Sequence, residues 1–204
     1  MSPLPNSSSG ESPPAPQPSA SSALGEYSPE ERELLLRLAH QAIDTALEER
    51  ELPLPVISEH LQQHRGGFTT LHLEGEVRGC VGYVFPVSPL FQTVIETARA
   101  AAFQDMRFLP VTREEAARLQ ISISILSPLF PIKAGEVELG KHGLLVTQGN
   151  RRGLLLPQVP AEHGWDLKTF LEQTCRKAGL PPDAWQREAT LEAFTAEIFG
   201  EGVL

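Results

Sequence analysis

The 204-residue sequence has only two cysteines, Cys80 and Cys175, far apart and in no C-x-x-C pair. That spacing excludes a disulfide framework and a structural zinc site built from thiolates. Basic residues are few: 17 Lys and Arg stand against 26 Asp and Glu, for a net charge of −9. They are also scattered, so neither a phosphate-tracking surface for nucleic acid nor a polybasic membrane patch is present. No apolar run is long enough to span a bilayer. The N-terminus lacks the basic and apolar regions of a secretory signal. These absences predict a cytoplasmic chain with reduced thiols and no nucleic-acid or membrane partner.

Residues 1–26 are rich in Ser, Pro, Ala and Gly and almost free of large apolar side chains. Such a stretch buries too little surface to offset its ordering entropy, and it is read as a disordered tail. The remainder, 27–204, is long enough for one domain with its own core. Ser28-Pro29-Glu30-Glu31 is a capping box with Pro at the first helical position. Leu34, Leu35, Leu38, Ala39, Ala42, Ile43, Ala46 and Leu47 follow as one apolar face, and Pro53 and Pro55 are expected to end the helix.

Phe68 to Leu73 and Val77 to Phe85 read as strands joined by the turn-like Glu74-Gly75-Glu76. Ser88-Pro89 opens a second helix, and Thr112 with Glu115 caps a short third. Leu119 to Leu126 alternates, with Ile121, Ile123 and Ile125 on one face and Gln120, Ser122 and Ser124 on the other, as in a strand with one polar face. A hairpin is expected around Asn150, then a helix from Asp166 to a stop at Gly179. Leu191 to Phe199 reads as one last strand. Hairpins mixed with helices favour an α+β fold, with a mixed or antiparallel sheet and flanking helices, over a doubly wound parallel sheet.

Three motif matches fail on context. Gly135 to Lys141 fits the start of a phosphate loop, but His142 follows where Ser or Thr is needed, and a strand follows where a helix should begin. His60 and His64 have metalloprotease spacing, but Leu61 replaces the general-base Glu. Gly79-Cys80-Val81-Gly82 has the spacing of an RNA-clamping loop but lies in a strand of an acidic chain. No metal or cofactor site is read from the sequence.

The segment Val77-Arg78-Gly79-Cys80-Val81-Gly82 is unusual for a strand. Two glycines weaken it by ~0.5–1 kcal/mol each and mark a bulge or a close approach of other atoms, from a ligand or another chain. Under regular pairing Arg78 and Cys80 share a face. A guanidinium beside a thiol favours the thiolate, the form needed for nucleophilic or redox chemistry. The competing reading is a small buried Cys with Arg78 paired to a carboxylate. Cys175 lies on a helix's apolar stripe and reads as core. Other candidates are Asp105 and Arg107, able to form a bidentate ion pair after an alanine-rich helix. The basic turn Lys141-His142 and the loop at Pro157 and Gln158 could line a cleft.

With these blocks in view, the chain resembles the AMMECR domain family, whose prokaryotic members are called AmmeMemoRadiSam system protein A and whose hallmark is Leu-Arg-Gly-Cys-Ile-Gly. Here Val77 and Val81 are conservative changes, and Arg78, Gly79, Cys80 and Gly82 match. The blocks Gly67-Phe68-Thr69-Thr70-Leu71, Ala101 through Phe108, Ile123 through Pro128, Leu139 through Gly143, Leu155 through Val159 and Arg176 through Leu180 also resemble family blocks, in family order. Met106 departs from the usual Pro. The likeness runs from about Glu30 to Phe199. It implies an α+β fold with a larger and a smaller lobe and a cleft at the hexapeptide. It also implies an association with Memo-like and radical-SAM proteins, and no particular reaction.

Two functions follow as expectations. In one, the chain is an accessory protein that binds a partner or a small-molecule ligand at that cleft, through Gly79, Gly82, Arg107, Pro157 and Gln158. In the other it is an enzyme: Cys80 is the nucleophile or group carrier, Arg78 its activator, and Asp105, Lys141 or His142 its acid–base partners.

Overall fold

In the computed structural model, which describes residues 25–201, helix α1 (Pro29–Leu47) begins as its sequence dictates. The Ser28 hydroxyl accepts the Glu31 N–H while the Glu31 carboxylate accepts the Ser28 N–H, which satisfies two of the orphan donors of the first turn. The helix stops at Leu47, before either proline, where Glu49 turns to a φ of 52°. The tail expected for 1–26 lies outside the described residues but for Gly25 and Glu26.

Strands β1 (Gly67–Leu73) and β2 (Glu76–Tyr83) form the expected hairpin. Helices α2 (Leu90–Phe103) and α3 (Arg113–Ala116) follow, then β3 (Gln120–Leu126). The two-residue strand β4 (Phe130–Pro131) leads to β5 (Gly143–Gln148) and β6 (Arg151–Leu155), a hairpin turning at Gly149-Asn150. Helices α4 (Val159–His163) and α5 (Leu167–Lys177) precede β7 (Thr190–Phe194) and β8 (Ala196–Gly200). The run read as one final strand is therefore two strands, broken at Thr195, and they belong to different sheets.

Two antiparallel sheets result, ordered β2-β1-β3-β8 and β4-β7-β5-β6, and the fold is α+β. Helices α1 and α2 cover one face of the first sheet. Leu71, Ile121, Ile123 and Ile125 meet Leu35, Ala39, Ile43, Val94 and Ala98 there in one buried core. On the same side the Thr69 and Thr97 hydroxyls bond at 2.8 Å. Helix α5 covers the second sheet, where Phe170 and Leu171 pack on Leu144 and Ala193, and Cys175 packs on Val146.

The chain changes lobes twice, at Ser127 and Thr195. The Ser127 N–H donates to the Thr195 carbonyl at 2.9 Å, and the Thr195 N–H donates to the Ser127 Oγ at 3.0 Å. Among the described residues no helix is long and apolar enough to cross a membrane.

Candidate functional site

The face of the first sheet left bare by the helices carries the polar half of the β3 alternation. Register decides what joins it. Leu73 pairs with Glu76 and His72 with Val77, but Leu71 pairs with Gly79, which leaves Arg78 unopposed. This bulge shifts the pairing by one residue, so Cys80 stands opposite Thr70. Regular pairing, which would have put Arg78 and Cys80 on one face, does not occur. A one-residue slip transfers side chains to the other face of a strand. Without it Cys80 would face Thr69, under α2.

Both glycines of the segment are crowded from within the chain. A Cβ on Gly79 would lie 2.2 Å from the Ala101 carbonyl oxygen of α2, and one on Gly82 would lie 2.1 Å from the Phe68 ring. The close approach expected at these glycines is thus made by the protein's own helix and ring.

Arg78 turns away from the sulfur. Its Nε and Nη2 donate to the Glu115 carboxylate at 2.9 and 3.1 Å, and its guanidinium lies over the Phe108 ring. The Arg78 bonds, then the Thr112 N–H, hold the Glu115 carboxyl down to about 2. Asp105 is 6 % exposed at its side chain. It accepts the Cys80 N–H at 2.9 Å and two bonds from the Arg107 guanidinium at 2.6 and 2.9 Å. Those guanidinium bonds first, and the Cys80 amide second, keep its carboxyl well below the usual carboxylate range. Arg107 also reaches the Cys80 carbonyl at 3.4 Å. The pair therefore holds both backbone polar groups of Cys80 on the outer edge of β2.

The sulfur itself accepts the Thr70 hydroxyl at 3.2 Å. It lines a narrow hollow of about 60 Å³ between the lobes. Phe68, Thr70 and Ser124 floor this hollow from the first sheet, and Leu156 and Gln158 close it from the other lobe. A hollow of about 340 Å³ shares Gln158, Ala196 and Ile198 with it and adds Gly140, Lys141 and Pro157. The two make one cleft.

Lys141 is exposed and paired to Glu138 at 2.8 Å. His142 is buried instead: its Nδ1 accepts the Glu138 N–H at 3.0 Å and its ring packs edge-on to Phe130. Burial, then the nearby Lys141 charge, lowers its pKa. Of the residues singled out in the sequence, the structure brings Cys80, Lys141, Pro157 and Gln158 to the cleft. Asp105 and Arg107 buttress Cys80 from behind, and Arg78 and His142 are engaged elsewhere.

Thr70, Phe68, Ser124, Ala196 and Ile198 are cleft residues that sequence reasoning missed. Ser124 was within reach of the β3 alternation, whereas Thr70 needed the bulge to be known. His60 and His64 form no metal pair: His60 stacks on Tyr27 and bonds Glu31 at 3.0 Å. Among the described residues no group of three or more His, Cys, Asp or Glu side chains is placed to hold a metal ion. The larger hollows, about 680 Å³ between α1 and the end of β8 and about 590 Å³ between α2 and residues 50–54, contain no cysteine.

Comparison with known proteins agrees with this architecture. A family model described as AMMECR1 matches residues 36–199. A protein of Aquifex aeolicus is 40% identical over 177 residues, covering 82% of this chain and 91% of the relative. A protein of Methanocaldococcus jannaschii is 40% identical over 182 residues, covering 84% and 90%. The crystal structure of the uncharacterized protein PH0010 from Pyrococcus horikoshii superposes with a TM-score of 0.71 at 39% identity, covering 84% of this chain and 91% of that one.

Proposed function

The chain belongs to the AMMECR1 family, and we propose that it is a ligand- or partner-binding accessory protein of the AmmeMemoRadiSam system, with the interlobe cleft beside Cys80 as its binding site. One observation carries the reading: the Cys80 thiol of one lobe and Gln158 of the other line the same hollow. Ligand sites are typically concave, walled by apolar groups, and supplied with a few convergent polar ones. Phe68, Leu156 and Ile198 are the apolar walls, and Thr70, Ser124, Gln158 and Lys141 are the polar groups. Memo-like and radical-SAM proteins of the same system are the expected partners. The working domain is 27–204, in the cytoplasm, with both cysteines free.

A second reading, an enzyme with Cys80 as nucleophile or group carrier, is favoured by the hydroxyl that Thr70 donates to the sulfur. A charged or hydroxyl donor on a thiol helps carry negative charge there. Lys141, on the adjoining part of the same cleft, is then the candidate proton donor from a loop.

Metabolite profiling of the purified chain against Cys80→Ser tests the binding reading. A small molecule retained by the wild type and lost from the variant supports it. No retained molecule, together with no co-purification of Memo-like or radical-SAM proteins, sinks it. Alkylation of Cys80 at pH 6 no faster than that of a free thiol counts against the enzyme.

A further inference from the structure

The first sheet has two outer strands, and they are finished differently. At β2 the outward N–H and C=O of Cys80 are taken by Asp105 and Arg107, and the bulge at Arg78 interrupts the ladder. Side-chain caps and bulges of this kind keep an edge strand from pairing with another chain. Among the described residues strand β8 has neither. Its bonds to β3 run through alternate residues, from the Ser127 N–H to the Thr195 carbonyl and from the Glu201 N–H to the Ile121 carbonyl. The backbone groups of Ala196, Ile198 and Gly200 therefore face outward. The strand contains no Lys, Arg or Pro, and its one charged side chain, Glu197, is turned to Arg32 of α1 at 2.8 Å. Ile198 is 51% exposed.

Beside this edge, between β8 and α1, lies the hollow of about 680 Å³, with Leu36 and Phe199 on its walls. On the α1 rim of that hollow Glu33 and Arg37 stand one turn apart, both exposed, and bond to each other at 3.4 Å.

We propose that β8 and this face of α1 are a homodimer interface, in which β8 pairs antiparallel with β8 of a second copy of the chain. A twofold axis brings identical strands together antiparallel and sets one patch against itself. Outward groups at Ala196, Ile198 and Gly200 then meet the same groups in reverse order. The axis also lays α1 head to tail beside its copy, so that Glu33 of each chain faces Arg37 of the other. The charge order on this rim is its own complement. An acidic or a basic foreign segment would meet one member of the pair with like charge, and a second copy does not. Ala196 and Ile198 also line the interlobe cleft, so the second copy's β8 continues the wall of that cleft. The proposal goes beyond the binding reading and does not depend on any chemistry at Cys80.

Sedimentation equilibrium of the full chain tests it. The expected mass is twice that of one chain, falling to the single-chain mass with Ile198→Lys, while Val77→Lys on the β2 edge changes nothing. Arg37→Glu lies on the helix surface and spares the fold; it weakens the dimer by about tenfold, and adding Glu33→Arg restores it. A single-chain mass at every concentration up to the solubility limit overturns the proposal. So does a dimer indifferent to both Ile198→Lys and Arg37→Glu. Hydrogen exchange gives an independent reading, with the Ile198 and Gly200 amides protected in the dimer. Protection of those amides in a chain that sediments as a monomer means that residues of the same chain cover the edge, and this too overturns the proposal.

Discussion

Cys80 stands opposite Thr70 across the β1–β2 ladder, and the Thr70 hydroxyl donates to its sulfur at 3.2 Å. The bulge at Arg78 creates this relationship by turning the thiol from the helix side of the sheet to the cleft side. Thr70→Val keeps the side-chain shape and removes the donor. A net hydrogen bond of about 1 kcal/mol corresponds to roughly a fivefold change, so alkylation of Cys80 at pH 6 is expected to slow about fivefold. Stopped-flow thiol titration measures it, with the circular dichroism melt as the control for folding.

Gly79→Ala places a methyl 2.2 Å from a carbonyl oxygen of α2. That atom belongs to a helix backbone and has no rotamer with which to move aside. A loss of about 3 kcal/mol is expected, from overpacking against a rigid neighbour. Urea denaturation should show a lower midpoint with an unchanged slope.

Acid sensitivity follows from Glu115. Its carboxyl is held down to about 2 from an ordinary 4.5. A depressed carboxylate stabilises the fold fully above the unfolded value, and the contribution is lost as pH falls through the folded one. The window is therefore from about pH 4.5 down to about pH 2, and Asp105 adds to the loss in the same direction. Denaturation midpoints measured across that range should fall in the wild type. Glu115→Gln should be less stable at pH 7 and lose less between pH 4.5 and 2.

His142 should remain neutral at pH 7, with its proton on Nε2, because Nδ1 accepts the Glu138 N–H. Its titration, followed by nitrogen-detected NMR, should occur below the ordinary histidine value of 6.5. Titration at or above that value would show the ring to be open to water.

Local signals carried much of the fold. The capping boxes at Ser28 and Thr112, the alternation through β3 and the turn at Glu74-Gly75 each depend on neighbours a few residues away, and each forms as expected. What escaped depends on distant partners. Nothing near Arg78 announces Glu115, 37 residues later, as its partner, or the bulge that goes with it. The break at Thr195 was invisible because a strand that leaves one sheet for another keeps its local pattern. The odd composition around Cys80 did mark the right place. Its glycines are explained by the packing of Ala101 and Phe68, and the thiol's exposure is explained by register.

The laced crossings at Ser127 and Thr195 constrain how the lobes can move. Two extended segments bonded side by side resist stretching and shear, yet twist readily about their shared axis. Rotation of the lobe carrying Gln158 and Lys141 against the other therefore has to twist this seam and part Arg152 from the Phe85 ring, and it changes the width of the cleft that both lobes line.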